Sequence, residues 1–204
     1  MKTIIKYELV INEALRSALN YDTPDEQINE FIRFFGKHIG SDRIYIFEDC
    51  DEKHVTQNTY EWCADGIVPE IHELQNVDMD IIGWWYQAFD KDRNVIITDI
   101  EQIKDERRES YNLLKAQNVK NLVVCPIRYK DEIKGFFGVD NPPESDTLGL
   151  TTFLDMIGTL LISLLKLRNS FTKSNKEAML SSYSSLSSIY ISMALVNVQT
   201  ICAT

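Results

Sequence analysis

Two short apolar runs, separated by a polar turn, lie within residues 118–143 and most constrain the fold that this chain can adopt. Residues 122–127 and 135–139 are rich in β-branched and aromatic side chains and are short, so they predict the two strands of a hairpin. Neither run alternates cleanly between apolar and polar residues, which predicts a sheet that is covered on both faces. Gly135 and Gly138 leave space above this sheet, either for a closely packed helix or for a ligand.

Helices with apolar stripes precede the hairpin. Residues 4–19 place apolar side chains three and four positions apart, which predicts a helix that packs on its own domain or contacts a second copy. Thr23, Pro24 and Glu26 form a capping box with proline in the first turn, and Gly40 suits the other end, so they predict a second helix.

Two strands with aromatic side chains are predicted next, over residues 43–48 and 55–63. Strand alternation puts Ile44 and Ile46 on one face of the first strand, suited to packing against helices. The opposite face of that strand, and a shared face of the second, carry the aromatic residues Tyr45, Phe47, Tyr60 and Trp62.

An irregular segment over residues 65–80 leads to a short apolar helix over residues 81–89. Trp84 and Trp85 are adjacent on this helix and point about 100° apart, so only one of them is expected to face inward. A third strand over residues 95–98 and a charged surface helix over residues 104–117 complete the path to the hairpin.

The most regular repeat of the chain follows the hairpin, in a long helix that begins at Asp146 or Thr147. Apolar residues recur at alternating spacings of three and four, which suits a helix lying on the sheet and also self-association. The residues of this stripe are Leu150, Phe153, Ile157, Leu160, Leu164, Leu167 and Phe171.

The composition changes after Phe171. Residues 172–204 hold eight serines and only three charged residues, and their apolar part ends in polar residues. This segment is interpreted as a linker and the start of a following domain, or else as an extra helix or strand of the same fold. The domain prediction is therefore an N-terminal helix over residues 1–22, a main domain over 23–171 and this tail.

The charge and the hydropathy exclude several classes of partner. The formal net charge of −10 argues against nucleic acid or an anionic membrane as the main partner. No apolar run approaches the roughly 18 to 20 residues that span a bilayer, and the N-terminus lacks a signal-peptide core. The expected location is the cytoplasm.

The cysteines and histidines predict neither a metal site nor a disulfide. Cys50, Cys63, Cys125 and Cys202 form no C-x-x-C pair, and the chain has only three histidines, so a zinc site is not expected. In a reducing cytoplasm the four thiols are expected to be free.

The order of elements and several short segments together resemble the GAF family of sensory domains over roughly residues 10–170. The segments are residues 40–48, Tyr60-Glu61-Trp62-Cys63, Pro126-Ile127 and residues 135–141. The resemblance implies an α+β fold: a central antiparallel sheet of five or six strands, terminal helices packed on one face, and a ligand-type pocket on the other. It also implies a homodimer that pairs through these helices.

Residues 60–67 and 138–143 also look like GAF domains upstream of bacterial diguanylate cyclase (GGDEF) and related cyclic-di-GMP domains. The resemblance implies a sensory module that controls an output domain in the same polypeptide through the long helix. The chain contains no GGDEF motif, so any cyclase activity would lie outside it. The alternative is a structural dimerisation module without a ligand.

The pocket implied by the resemblance can be given candidate residues. They are Tyr45, Phe47, Tyr60, Trp62, Trp84, Trp85, Cys125 and Phe137, and the expected partner is an unidentified small molecule.

Three specialised classes of GAF domain have residue patterns that this chain lacks. Asn141 precedes Pro142, so the Asn-Lys-Phe signature of nucleotide-binding members is absent. Cys63 and Cys125 are not followed by histidine, unlike many tetrapyrrole attachment cysteines, so no cofactor is expected. Their apolar or acidic surroundings also disfavour the reactive thiols of GAF-fold methionine sulfoxide reductases, and we expect no catalytic activity from this fragment.

Overall fold

The protein is described by a computed structural model, which covers residues 2–143 and 147–201. The helices are α1 (Lys2–Ala18), α2 (Pro24–Ile39), α3 (Gly83–Phe89), α4 (Arg108–Ala116) and α5 (Thr147–Ile201). The strands are β1 (Arg43–Cys50), β2 (Val55–Cys63), β3 (Val77–Asp78), β4 (Val95–Ile97), β5 (Leu122–Tyr129) and β6 (Glu132–Asp140). Two residues of the sequence analysis lie outside the described part: Asp146, as a helix start, and Cys202.

Helix α2 begins and ends where its sequence predicts. The Thr23 side chain accepts a hydrogen bond from the Glu26 amide at 3.3 Å, and the Glu26 carboxylate accepts one from the Thr23 amide at 3.1 Å. Gly40 closes the helix with a φ of 75°, in the left-handed region that glycine adopts without strain. The capping box and the glycine stop are both confirmed.

The sheet is antiparallel and has six strands within the described residues, in the order β3-β2-β1-β6-β5-β4. The predicted hairpin of β5 and β6 is present, with Cys125 opposite Phe137. Strand β1 lies between β2 and β6, so the hairpin is joined to the first two strands through the centre of the sheet. Strand β3 is only two residues long and falls in the segment that the sequence predicted to be irregular.

Helices α1, α2 and the first part of α5 lie on one face of the sheet. Phe35 of α2 packs near Phe137 of β6, with ring centroids 6.4 Å apart. Tyr7 of α1 lies against Phe153 of α5, at 5.5 Å between ring centroids. Tyr7, Ile11, Ala14 and Ala18 of the α1 stripe are buried, so this part of the helix packs on its own domain. Helices α3 and α4 cover the other face.

The predicted stripe of α5 divides into two parts with different environments. Leu150, Phe153 and Ile157 are buried, whereas Leu167 and Phe171 are 52% and 41% exposed. Leu160 and Leu164 are partly buried. The first part therefore belongs to the core of the domain, whereas the second part exposes apolar side chains that are available for a further contact.

The helix does not stop after Phe171 but continues to Ile201. No glycine or proline follows Gly158 in the sequence, so nothing in this segment forces the helix to end. The chain divides into two compact units, Met1–Leu164 and Leu165–Thr204. In the described part of the chain, no helix combines the length and the apolar character needed to cross a membrane.

Candidate functional site: an aromatic cavity that ends at a buried ion cluster

A small cavity lies between the sheet and the helices α3 and α4. Its volume is about 40 Å³, room for a few water molecules rather than for a large cofactor. Four aromatic rings form much of its wall, from Tyr45, Phe47, Trp85 and Phe136. The other lining residues are Arg43, Glu61, Leu74, Val77, Ile82, Leu113, Leu114, Gln117 and Asp140.

The rings are in mutual contact. Phe47 stacks on Phe136 with centroids 4.7 Å apart, and Tyr45 meets Phe47 edge-on at 5.6 Å. Trp85 approaches Phe136 edge-on at 5.5 Å. Such stacked and edge-to-face pairs are the arrangements that aromatic quadrupoles favour, so the rings hold one another in place.

Gly138 of β6 makes room for the Tyr45 ring. These two residues are opposite each other on β6 and β1. A Cβ atom at position 138 would lie 2.0 Å from Cε2 of Tyr45 and 2.4 Å from its hydroxyl oxygen. The absence of a side chain here therefore lets the tyrosine lie across the sheet and form part of the cavity wall.

Three charged side chains close one end of the cavity. Nη1 of Arg43 lies 3.1 Å from Oδ2 of Asp140, and Nε lies 3.5 Å from Oε1 of Glu61. All three side chains are at most 3% exposed. Arg43 also donates to the carbonyl oxygen of Val68 at 2.9 Å and to the side chain of Gln117 at 3.3 Å.

The two carboxylates of this cluster differ in how well they are hydrogen-bonded. Glu61 accepts from the backbone amides of Glu70 and Ile71, at 2.8 and 3.1 Å, and from the side chain of Asn58. Oδ1 of Asp140 has no hydrogen-bond partner among the described residues. Glu61 is thus held by several donors, whereas Asp140, which lines the cavity, keeps one unused acceptor oxygen.

Burial raises the pKa of the Asp140 carboxyl to about 7, although Arg43 and a hydrogen bond from Tyr45 act in the opposite direction. Desolvation disfavours the charged form, and one guanidinium shared with Glu61 does not fully compensate it. Asp140 therefore changes its charge near neutral pH.

This shift predicts a pH dependence of stability. Between the ordinary value of 3.8 and about 7, the unfolded chain releases the Asp140 proton while the folded chain keeps it. The free energy of unfolding of the wild-type chain is therefore expected to fall across this range, relative to that of Asp140→Asn. Urea midpoints of both proteins at a series of pH values measure the difference. Groups such as Glu30, whose pKa is lowered by Arg33, contribute to the pH dependence of both proteins, so their contribution cancels in the difference. An equal pH dependence in the two proteins would contradict the assignment.

A second, more polar recess lies on the outer side of the ion cluster, with a volume of about 90 Å³. Arg43, Gln117 and Asp140 line both this recess and the aromatic cavity. The remaining wall of the recess comes from the loop after β2, from the turn between α4 and β5, and from Asp42 and Asn141, which flank β1 and β6. The three shared side chains therefore separate the interior cavity from the outer recess.

The structure brings some of the predicted pocket residues together at the cavity and places others elsewhere. Tyr45, Phe47 and Trp85 line it as predicted. Trp84 points toward α4 instead, where its Nε1 donates to the Ser110 hydroxyl at 2.9 Å. The expectation that only one of the two tryptophans faces inward is confirmed.

The predicted placement of Tyr60 and Trp62 on the cavity face is wrong. The register of β2 with β1 places Trp62 opposite Ile44 and Tyr60 opposite Ile46, so both aromatic residues face the helices. The Trp62 ring occupies the space that Gly36 of α2 leaves open. Alternation correctly predicted that the pair shares a face, but it does not identify which face.

Cys125 and Phe137 also lie on the helix face rather than at the cavity. The Cys125 thiol donates to the carbonyl oxygen of Leu154 at 3.4 Å, and Phe137 packs near Phe35. Their neighbours Val124 and Phe136 face the cavity side instead. In both strands the prediction was displaced by one residue, which reverses the face in a structure with a period of two.

The charged residues of the site were not predicted from the sequence, because the pocket prediction rested mainly on aromatic residues. A signal was present: Arg43 shares one face of β1 with Tyr45 and Phe47, and Glu61 lies between the two aromatic residues of β2. A charged residue inside an otherwise apolar strand is rarely left unpaired when it is buried. Its partner Asp140 could not be found without the register of β1 and β6.

Within the described part of the chain, Cys63 and Cys125 lack the features of a nucleophilic site. Burial is the main cause that raises the pKa of the Cys63 thiol to about 11, with Glu61 acting in the same direction. Cys125 is fully buried. A protonated thiol is a poor nucleophile, so neither position offers the thiolate that a reductase requires.

Comparison with known proteins identifies the family. Residues 23–165 match the model of the GAF domain family. The chain belongs to this family. A GAF domain from a phosphoenolpyruvate-protein phosphotransferase of Acinetobacter has the same fold, with a TM-score of 0.61, 10% identity, and coverage of 82% of this chain and 97% of that chain. The phycocyanobilin-bound GAF domain from a cyanobacterial phytochrome gives a TM-score of 0.61 at 18% identity, over 78% of this chain and 94% of that one.

A relative with a named biological role is more similar in sequence. The methanogenesis regulatory histidine kinase FilI of Methanothrix harundinacea is 26% identical over 128 residues. These residues make up 60% of the chain and 14% of that protein, so the chain spans about one seventh of the relative's length. The GAF fold predicted from the sequence is confirmed. The predicted association with GGDEF domains stays a prediction.

Proposed function

We propose that this GAF domain is a regulatory module of a signalling protein, in which the state of the cavity controls an output domain through α5 in a homodimer. The single observation that carries the proposal is the geometry of β5 and β6. Each strand presents alternate residues to the cavity side and to the helix side of the same sheet. A single strand therefore contacts the cavity with one set of residues and the helix with the next, so a change at the cavity can reach the helix through that strand.

The contacts between β5 and α5 are short and specific. Val124 faces the cavity side, while the next residue, Cys125, donates its thiol hydrogen to the Leu154 carbonyl oxygen of α5. A Cβ atom at Gly158 of α5 would lie 3.1 Å from the carbonyl oxygen of Pro126, so the helix lies very close to the strand. Because packed elements resist compression, a displacement of β5 is expected to move this part of α5.

The exposed part of the α5 stripe supports a helical dimer. Leu167 and Phe171 continue the apolar spacing of the buried residues, yet both are substantially exposed in the single chain. Sustained spacings of three and four allow two such helices to pair through these positions. In this proposal the pairing joins two copies of the chain.

We expect Leu167→Glu combined with Phe171→Glu to convert a dimeric chain into a monomer, because two carboxylates would be buried at the pairing surface. Ser170→Glu is the matched control, since it adds a carboxylate at an exposed neighbouring position of the same helix. Sedimentation equilibrium at micromolar concentration measures the mass of each protein. A wild-type monomer, or a double variant that remains dimeric, would contradict the proposed interface.

The proposal also concerns which kind of output domain is controlled. The histidine kinase relative supports a signalling output in general, and the resemblance of residues 138–143 supports a cyclic-di-GMP output. Both would receive the same mechanical input from α5, so the proposed mechanism of the GAF domain does not depend on the choice. The GAF domain itself is proposed to have no catalytic role, which the protonated state of Cys63 supports.

A structural dimerisation module without a ligand is the second candidate, and the small volume of the cavity favours it. The aromatic rings fill most of the space that a large ligand would need. The two candidates differ in whether any small molecule binds to the isolated chain. Isothermal titration calorimetry of the chain with small molecules separates them, because saturable binding is expected only if the cavity holds a ligand.

A further inference from the structure

The ion cluster at the cavity has one more carboxylate than it has cations. Glu61 and Asp140 are balanced by Arg43 alone, and no lysine or second arginine is among the described residues that line the cavity. The outer recess, on the other side of Asp140, adds Asp42 and Glu70 and no further cation. A buried negative charge without a counter-ion is costly, so this position favours a positively charged guest.

We propose that the cavity binds a small organic ammonium ion, with its nitrogen on Asp140 and its carbon chain against the aromatic rings. This inference rests on the proposed sensory role of the cavity and specifies the chemical class of its ligand. It concerns the interior cavity and the shared wall of Arg43, Gln117 and Asp140.

Asp140, rather than Glu61, supplies the acceptor. Glu61 already receives two backbone amides, the side chain of Asn58 and Arg43. Asp140 receives Arg43 on Oδ2 and a hydrogen bond from Tyr45, but its Oδ1 has no partner among the described residues. Its side chain is 2% exposed and lines the cavity. A hydrogen bond between an ammonium and this oxygen would be charge-assisted at both ends, and such bonds are roughly twice as strong as neutral ones.

The walls and the volume limit the rest of the ligand. Tyr45, Phe47, Trp85 and Phe136 offer aromatic surface, which attracts a desolvated cation and also accepts a hydrocarbon chain. Trp85 Nε1 lacks an acceptor among the described residues, so a ligand that also carries an oxygen has a second anchor available. A volume of about 40 Å³ corresponds to about three or four non-hydrogen atoms, the size of a propylamine or an aminoalcohol.

The protonation state of Asp140 supports the same reading. Burial raises the pKa of its carboxyl to about 7, which means that Arg43 alone does not fully compensate the charged form. The titratable and charged groups that act on it are Arg43, Tyr45 and Glu61. Bound ammonium would stabilise the carboxylate and lower this pKa, so binding is expected to be accompanied by proton release at neutral pH.

Isothermal titration calorimetry of the full 204-residue chain tests the inference. The probes are n-propylammonium chloride, 1-propanol and sodium acetate, which have the same number of non-hydrogen atoms, at matched ionic strength. We expect saturable binding of propylammonium and at least about tenfold weaker binding of the other two. We also expect propylammonium to bind more weakly as the pH falls from 8 to 6, where propylammonium keeps its charge and Asp140 loses it.

Asp140→Asn is expected to weaken propylammonium binding by about tenfold or more, whereas Asp131→Asn, in the exposed turn of the β5–β6 hairpin, should leave it unchanged. Equal binding of propanol, tighter binding of acetate, or no saturable binding of propylammonium would each overturn the inference. The comparison of the three probes uses only the wild-type chain, so it remains decisive if Asp140→Asn does not fold. Failure here would leave the proposed dimeric regulation intact, because that proposal is tested by the mass of the α5 variants.

Discussion

Replacing Arg43 with methionine is expected to lower the free energy of unfolding by about 3–5 kcal/mol. The guanidinium is the cation shared by Glu61 and Asp140, and all three side chains are almost completely buried. Methionine keeps much of the apolar volume of the arginine side chain but leaves two adjacent carboxyls without a counter-ion. The loss comes mainly from these uncompensated groups rather than from lost packing.

Chemical denaturation at pH 8, where Asp140 is mostly ionised, measures this effect most directly. Arg16→Met is the matched control, because Arg16 lies on α1 with its side chain 76% exposed and forms a surface ion pair with Glu13. Surface changes of this kind are expected to alter stability by no more than about 0.5 kcal/mol. A loss below about 1 kcal/mol for Arg43→Met would show that the cluster is much better solvated than the described geometry indicates.

The double variant Arg43→Met with Asp140→Asn identifies the cause of the loss. Removing the carboxyl charge together with the cation should make the double variant more stable than Arg43→Met alone. Additive losses from the two changes would mean that the two side chains contribute independently. In that case the ion pair of Arg43 and Asp140, 3.1 Å apart, would contribute no coupling energy to stability.

Gly138→Ala is expected to have the second large effect, a loss of about 1–3 kcal/mol together with a displaced Tyr45. The added methyl group would overlap the Tyr45 ring, at 2.0 Å from Cε2 and 2.1 Å from Cζ. The ring cannot move aside freely, because it is buried and meets Phe47 and Phe136 edge-on. The clash must therefore be relieved by moving the aromatic wall or the strand.

Gly83→Ala provides the matched control for this change. Gly83 begins α3 with a φ of −55°, and a Cβ atom there would meet nothing within 4 Å. Alanine is the better helix former, so this variant should be as stable as the wild type or slightly more stable. Thermal unfolding of both variants, with near-ultraviolet circular dichroism to follow the tyrosines, measures the contrast. Equal stability of the two variants would contradict the described position of Tyr45.

Local sequence patterns predicted the elements that have local causes. The capping box of Thr23 and Glu26 and the stop at Gly40 depend on neighbouring residues, and the structure follows them closely. The hairpin of β5 and β6 was predicted from two apolar runs and a polar turn for the same reason. Helix geometry alone predicted that only one of the two tryptophans of α3 faces inward, and Trp85 is the one that packs against Phe136.

The candidate site could be predicted only in part, because its residues come from strands that are distant in sequence. Alternation places Tyr45 and Phe47 on one face of β1, but it cannot relate that face to the faces of β2, β5 and β6. The register of these strands decides that Trp62 faces α2 and that Phe136, rather than Phe137, faces the cavity. Asp140 joins the site through the same register, 97 residues after Arg43.

The continuation of α5 was not predicted, because it depends on the lack of residues that end a helix rather than on a positive sequence pattern. Residues 172–204 are rich in serine, which favours helices only weakly, and their composition suggested a linker. No proline or glycine interrupts them, however, and the helix extends to Ile201. The predicted start of a further domain in this segment stays a prediction.

Coupling between the cavity side of the sheet and α5 is tested most directly by an NMR titration. Amide shifts of Leu154 and Gly158 are followed from pH 6 to pH 8.5 in the wild type and in Asp140→Asn, two proteins that differ only at position 140. A transition near pH 7 at these α5 amides, present in the wild type and absent in the variant, is the predicted result. A transition confined to the strand residues around Asp140, with α5 unchanged, would contradict this coupling.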